Sequence, residues 1–185
     1  MEILEAIRGR RATRMFTPKP VAAGRLEQLI AASIQAPSAM NRQAWHFTVV
    51  RNAALLDRIS DRSKARMLQL MAPGTVPNEL RQHLENPAFH LFYHAPALVV
   101  ISTPMGDWAI EDAALAAQNL MLDACAQGLG TCWIGLAQRW LETEEGHQAL
   151  KLPAHLLPVA PIIVGYPAEP HPPVPRNAPV IDWID

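Results

Sequence analysis

Cysteine is nearly absent, with only Cys125 and Cys132 in 185 residues. Two thiols make neither a disulfide framework nor a Cys-x-x-Cys pair. A reducing, cytoplasmic setting is therefore expected. Net charge is nearly absent too, at −1. Without a broad basic face, no general affinity for nucleic acid is expected. No stretch approaches the roughly 18 uncharged apolar residues of a membrane span, so no membrane partner is expected. The opening Met1-Glu2-Ile3-Leu4-Glu5 is acidic and amphipathic, unlike the basic start of a secretory leader. Internal repeats, low-complexity tracts and linkers are missing. One domain spanning 1–185 is the expectation.

What is present is apolar mass and proline. Half of the residues are apolar, enough for a core without metal or disulfide staples. The periodicity predicts helices over 2–8, 24–35, 53–71, about 78–84, 108–127 and about 140–150. Ile3, Leu4 and Ile7 form the expected inner face of the first. Strands are predicted over 45–50, 97–102, 131–136 and 159–166. Pro73, Gly74, Pro77, Pro87 and Pro96 cut the region 72–96 into short pieces. The 108–127 helix is apolar nearly all round, which predicts central burial. Gly128 and Gly130 are expected to end it. Pro161 places the last strand at a sheet edge or a bulge. The tail, 167–185, holds six of the 17 prolines and is expected to lie along a surface. Helices and strands mix without strict alternation, so the class is α+β.

Three segments carry candidate chemistry. Arg8, Arg10, Arg11 and Arg14 crowd seven residues. They either complement the negative end of the first helix or hold a bound anion, since an arginine fork matches phosphate in shape and charge. The run Ala36 to Phe47 is a loop with one hydroxyl and two carboxamides between a helix and a strand. It is either an ordinary turn or a set of donors and acceptors for a heteroaromatic edge. Gly128-Leu129-Gly130 is not a dinucleotide fingerprint, because here a helix precedes the glycines and a strand follows. Gly135, read as lying inside that strand, suggests close backbone approach to something flat.

Other signals read blandly. His90 and His94, with His83 nearby, have helical metal spacing, but no carboxylate or cysteine completes a set, so no metal is assigned. The cysteines read as small core residues. Ser38 lacks triad partners. Asp107, Glu111 and Asp112 suit the first turn of the long helix.

Together the segments resemble the nitroreductase family of FMN-dependent oxidoreductases. Arg10-Arg11-Ala12-Thr13-Arg14-Met15-Phe16 is similar to the family's Arg-Arg-Ser-x-Arg-x-Phe. Pro37-Ser38-Ala39-Met40-Asn41-Arg42-Gln43-Ala44-Trp45-His46-Phe47 resembles its Pro-Ser-x-x-Asn-x-Gln-Pro-Trp-x-Phe. Asp112 to Gly135 resembles its long helix followed by Gly-Leu-Gly-x-x-Trp-Ile-Gly. Val164-Gly165-Tyr166-Pro167 and Arg176 are similar to its closing Gly-Tyr-Pro and late arginine.

The resemblance implies a mixed, mainly antiparallel sheet flanked by helices in an intertwined homodimer, with the tail packed on the partner subunit. It implies that Arg10, Arg11 and Arg14, with Ala12 between them, hold the FMN phosphate and ribityl chain, and that Arg176 closes on the phosphate. Pro37, Ser38, Ala39, Asn41 and Gln43 would contact the flavin, in this family often across the dimer interface. Trp133, Ile134 and Gly135 would line the isoalloxazine. The implied activity passes a hydride from NADH or NADPH through the flavin to a nitroaromatic, quinone or related acceptor by a ping-pong scheme. No side-chain acid or base is needed, and none is assigned. A flavin-binding protein for storage or sensing, and a specialised dehydrogenase or dehalogenase of the same fold, are the alternatives. Two departures stand out: Ala12 replaces the usual serine and Ala44 the usual proline. The short stretch between Ser102 and Asp112 leaves little room for an inserted lid helix.

Overall fold

The run Ala97–Pro104 (β2) decides the architecture. Leu98 and Val100 point into one core, while Ala97, Val99 and Ile101 point into another. Successive side chains of a strand face opposite ways, so a strand apolar at every position must be covered on both sides. The computed structural model describes residues 1–71 and 78–184 and places β2 inside a four-stranded sheet. The expected break at Pro73, Gly74 and Pro77 lies outside the described residues.

The strand order is β1 (His46–Val50), β2, β4 (Leu156–Gly165), β3 (Gly130–Trp133), all antiparallel. Beyond β3, Ala12 forms a parallel bridge with Thr131, which makes the sheet mixed. One face carries α3 (Ala53–Leu70), α4 (Asn78–Glu85), α6 (Gly135–Leu141) and α7 (Glu144–Leu150), through residues such as Ile59, Leu84 and Leu141. The other carries α2 (Ala23–Ser33) and α5 (Ala109–Ala126), through Leu26, Leu29 and Leu120. α1 (Ile3–Gly9) lies outside, on α5. The α+β class and the mainly antiparallel sheet flanked by helices are as expected.

Several local expectations are corrected. Pro161 sits in an interior strand, not at an edge. Its carbonyl accepts from the Ile134 N–H at 2.8 Å, so its nitrogen faces the same side, where β3 ends. No ladder bond is lost there, and the register shift at Ile101/Ser102 lies close by. The predicted 131–136 strand stops at Trp133, and Gly135 opens α6. Gly130 does not cap α5 but begins β3; the turn is made by Gly128, at φ 73°. The predicted 140–150 helix is two helices. The Thr143 hydroxyl donates to the Trp140 carbonyl at 2.6 Å and accepts from the Gly146 N–H at 3.1 Å, ending one and capping the next.

Two apolar faces differ from expectation. Of α1 only Ala6 is buried, and Ile3, Leu4 and Ile7 are 64%, 57% and 51% exposed. α5 buries Ala113, Ala116, Ala117, Leu120 and Ala124, but leaves Ile110 and Leu115 exposed. Amphipathic periodicity locates an apolar stripe without saying which chain covers it.

Candidate functional site

The arginine segment lies along the free edge of β3. The Thr13 N–H donates to the Thr131 carbonyl at 2.9 Å. A Cβ on Gly130 would lie 2.7 Å from the Thr13 Cβ, so only glycine lets the segment come this close. In an extended segment residues alternate sides. Arg11 and Thr13 face the C-terminal tail. Arg11 Nη1 donates to the carbonyls of Arg8 (2.6 Å) and Arg10 (2.9 Å), and its Nε to that of Pro172 (3.3 Å). The Thr13 hydroxyl pairs with His171 Nε2 at 2.8 Å. The Thr13 hydroxyl, next to Ala12 in the sequence, is thus turned into the fold, with Thr13 buried.

Arg10 and Arg14 share the alternate side with Ala12 and form no ion pair among the described residues. Their charges pull the Cys132 thiol pKa down, but burial is the larger effect and raises it. Cys132 is buried in the core, as a small apolar residue would be. A cleft of about 150 Å³ lies between this segment, the end of α5 and the tail, lined by Arg10, Arg11, Thr13, Cys125, Gly130 and His171 but not by Arg14.

β3 carries the chain from this segment to Trp133, Ile134 and Gly135. Trp133 is half-buried against the α5-side core, and Ile134 is buried. Gly135 is exposed, and a Cβ placed on it would meet nothing within 4 Å. The close approach foreseen at Gly135 is thus to open space beside the first turn of α6. Arg176 lies in the exposed tail, four residues beyond the Arg11–Pro172 contact.

The second group sits on the loop before β1. Ser38 Oγ accepts from the Gln43 N–H at 2.9 Å, and Gln43 Nε2 donates to Asn41 Oδ1 at 2.8 Å. Met40, Asn41 and Gln43 all have positive φ, near 50°. Such conformations cost about 1–3 kcal/mol each off glycine, so the surroundings must impose them. Asp112 does so: its Oδ1 accepts from the Ala39 N–H and its carbonyl from Trp45 Nε1, both at 2.9 Å. Sequence reading gave Asp112 only a dipole role. Its loop partners lie some seventy residues earlier, and no local pattern reports such a contact. Pro37, Asn41 and Gln43 are exposed, and Ser38 and Ala39 half-buried.

The structure does not bring the two groups together within one chain. Asp112 is near the start of α5, whereas Gly9 stands 3.8 Å from the Cys125 sulfur near its end, measured from the Cβ it would carry. At 1.5 Å per residue these points are about 20 Å apart. The loop leads into β1, the opposite edge of the sheet from β3, roughly 14 Å across at ~4.8 Å per strand.

A third cluster corrects the histidine reading. Asp57, on α3, does complete a set with His90 and His94, their ligand atoms all lying within 4.8 Å. Yet His90 Nε2 lies 3.1 Å from Asp57 Oδ1, and its Nδ1 accepts from the Phe92 N–H at 3.1 Å. Nε2 is then the protonated donor to the carboxylate, so the set is joined by a hydrogen bond.

Among the described residues, no helix is long and apolar enough to cross a membrane. A protein of Methanothermobacter thermautotrophicus, provisionally named NADH dehydrogenase/NAD(P)H nitroreductase, is 27% identical over 175 residues, covering 91% of this chain and 79% of that one. A nitroreductase with bound FMN from Bacteroides fragilis superposes over the whole of both chains with a TM-score of 0.85 and 28% identity. Another with bound FMN, from Desulfitobacterium hafniense, also covers both chains fully, with a TM-score of 0.85 and 26% identity. The description of the nitroreductase family matches residues 7–166, most of the chain and every segment of the site except the late arginine, and the protein accordingly belongs to that family.

Proposed function

We propose that the protein is an FMN-dependent oxidoreductase drawing electrons from NADH or NADPH, with two symmetric sites each completed by a second copy of the chain. The observation that carries this is the pair Arg10 and Arg14, two guanidinium forks without a carboxylate partner among the described residues, on the segment that bridges β3 at Thr131. Arg10 is half-buried and Arg14 exposed, and guanidinium forks held without counter-charge suit a phosphate dianion. FMN is also the group bound in the two similar solved structures.

In this reading Arg10 and Arg14, with the Ala12 backbone between them, hold the phosphate, and Arg176 closes on it. Trp133, Ile134 and Gly135 flank the ring system from the same chain. Pro37, Ser38, Ala39, Asn41 and Gln43 reach it from the partner, since within one chain they stand on the wrong edge of the sheet. The exposed apolar residues of α1 and α5 supply the contact surface for that partner. When bound, FMN would supply the redox chemistry, accepting a hydride equivalent and passing it to a nitroaromatic, quinone or related acceptor. The chain's own work is to fix the donor and acceptor on one open face and to neutralise the phosphate. No residue is required to move a proton.

The test is an absorption spectrum of the purified protein before and after anaerobic NADH or NADPH. Flavin bands that bleach with the donor and return with a nitroaromatic are expected. A colourless protein that takes up no FMN on titration would sink the reading. Bands that fail to bleach with either donor would turn it into a flavin-binding protein without turnover.

A further inference from the structure

We propose that Arg11 is a positioning residue rather than a phosphate ligand: with His171 it clasps the C-terminal segment and sets Arg176 within reach of Arg10. This rests on the FMN reading above, but the clasp itself stands on contacts within the chain.

The tail runs antiparallel to the arginine segment in a steady register. The Thr17 N–H donates to the Tyr166 carbonyl, Phe16 bridges Pro167, and the Ala168 N–H donates to the Met15 carbonyl. Thr13 then meets His171, and Arg11 meets Pro172. The first three contacts are backbone pairing and the last two are made by side chains. The switch has a physical cause. Pro170 and Pro172, which continue the alternation of Tyr166 and Ala168, lack an N–H, so at those positions the tail can offer only carbonyls. A side-chain donor must replace the missing ladder bonds, and Arg11 provides it. Its other two bonds, to the Arg8 and Arg10 carbonyls, lock the guanidinium against the end of α1. A guanidinium tied to three carbonyls has few donors left for a phosphate.

In the same register Pro173 falls opposite Arg10. Arg176 comes three residues later, about 10 Å further along an extended chain. That is within the combined reach of two arginine side chains. Beyond Pro172 the exposed segment makes no hydrogen bond or ion pair among the described residues, so the clasp is what holds Arg176 near Arg10.

The experiment has two arms. In the first, FMN and riboflavin are titrated into wild type, Arg11→Ala, Arg176→Ala and the double variant. We expect Arg11→Ala and Arg176→Ala each to weaken FMN about tenfold while riboflavin, lacking the phosphate, is little affected. The double variant should bind FMN no more weakly than Arg176→Ala alone. Multiplying losses in the double variant, or no loss in Arg11→Ala, would overturn the assignment. In the second arm, hydrogen exchange of residues 166–171 is followed in the protein without added flavin. It should quicken several-fold in Arg11→Ala and in His171→Ala but not in Arg176→Ala. Unchanged exchange in the first two would overturn the clasp. Wild type that binds no FMN would remove the underlying reading, and the exchange arm then decides the clasp alone.

Discussion

At the scale of single residues, the arginine segment separates by side. Arg10 and Arg14 lie with Ala12, and Arg11 and Thr13 lie against the tail. Each charge-assisted bond is worth roughly 1.5–3 kcal/mol. Arg10→Ala and Arg14→Ala should therefore each lower FMN affinity about tenfold to a hundredfold, with riboflavin affinity nearly unchanged, as read by fluorescence titration. His90 gives a pH effect. Burial lowers its pKa, helped by His94 and opposed by the Asp57 hydrogen bond and by Asp57 and Asp61 charge. The unfolded chain takes the proton near pH 6.5 and the folded one only lower, so stability is full above that value and lost as pH falls. Thermal midpoints should drop between pH 7.5 and 5.5, and His90→Asn should flatten that drop. A slope unchanged in the variant would assign the effect elsewhere. The motif residues were legible in the sequence because spacing survives in the string. Their division was not, since it depends on the segment being extended beside β3. Asp112 was invisible as an anchor for a similar reason, its partners being remote along the chain.

At the scale of elements, α5 is built to approach the sheet closely. Ala113, Ala116, Ala117 and Ala124 are fully buried, and the Ser33 hydroxyl reaches the Ala116 carbonyl at 2.7 Å. Ala117→Leu should cost about 1–3 kcal/mol through overpacking, measured by denaturant unfolding. An equal swap at the exposed Leu115, to Met, should leave monomer packing nearly unmoved. The long helices α2, α3 and α5 and the two central strands were readable because long apolar-patterned runs carry their own signal. The end of β3 was not. Trp133-Ile134-Gly135-Leu136 is a short apolar run, and a short apolar run serves a buried strand or a helix start equally well. Of the two expectations at Pro161, the edge fails and the bulge lies next to it: proline excludes an interior strand only where the lost N–H had a partner, and here β3 has already turned away.

At the scale of the whole molecule, the arginine segment and the Ser38–Gln43 loop stand at opposite edges of one sheet. Sedimentation should give a dimer at micromolar concentration. A dimer formed between Arg10→Ala/Arg14→Ala and Asn41→Ala/Gln43→Ala chains should contain one site with all its residues and one lacking both groups. It should bind close to one tight FMN, whereas each variant homodimer binds neither site tightly. Two weakened sites in the mixed species would place all of the contacts in one chain. The apolar face of α1 was legible as a stripe, but its cover was not, because a single sequence does not distinguish a residue buried in its own fold from one buried by a second copy.

The bridge between Ala12 and Thr131 has a consequence for solubility. β3 would otherwise be an open sheet margin with unpaired N–H and C=O groups, a template on which another chain can add a strand. The arginine segment covers that margin and, being cationic, repels its own copies. A ligand that steadies the segment therefore also guards the protein against fibrous self-association, and a preparation stripped of that ligand is expected to have the shorter storage life.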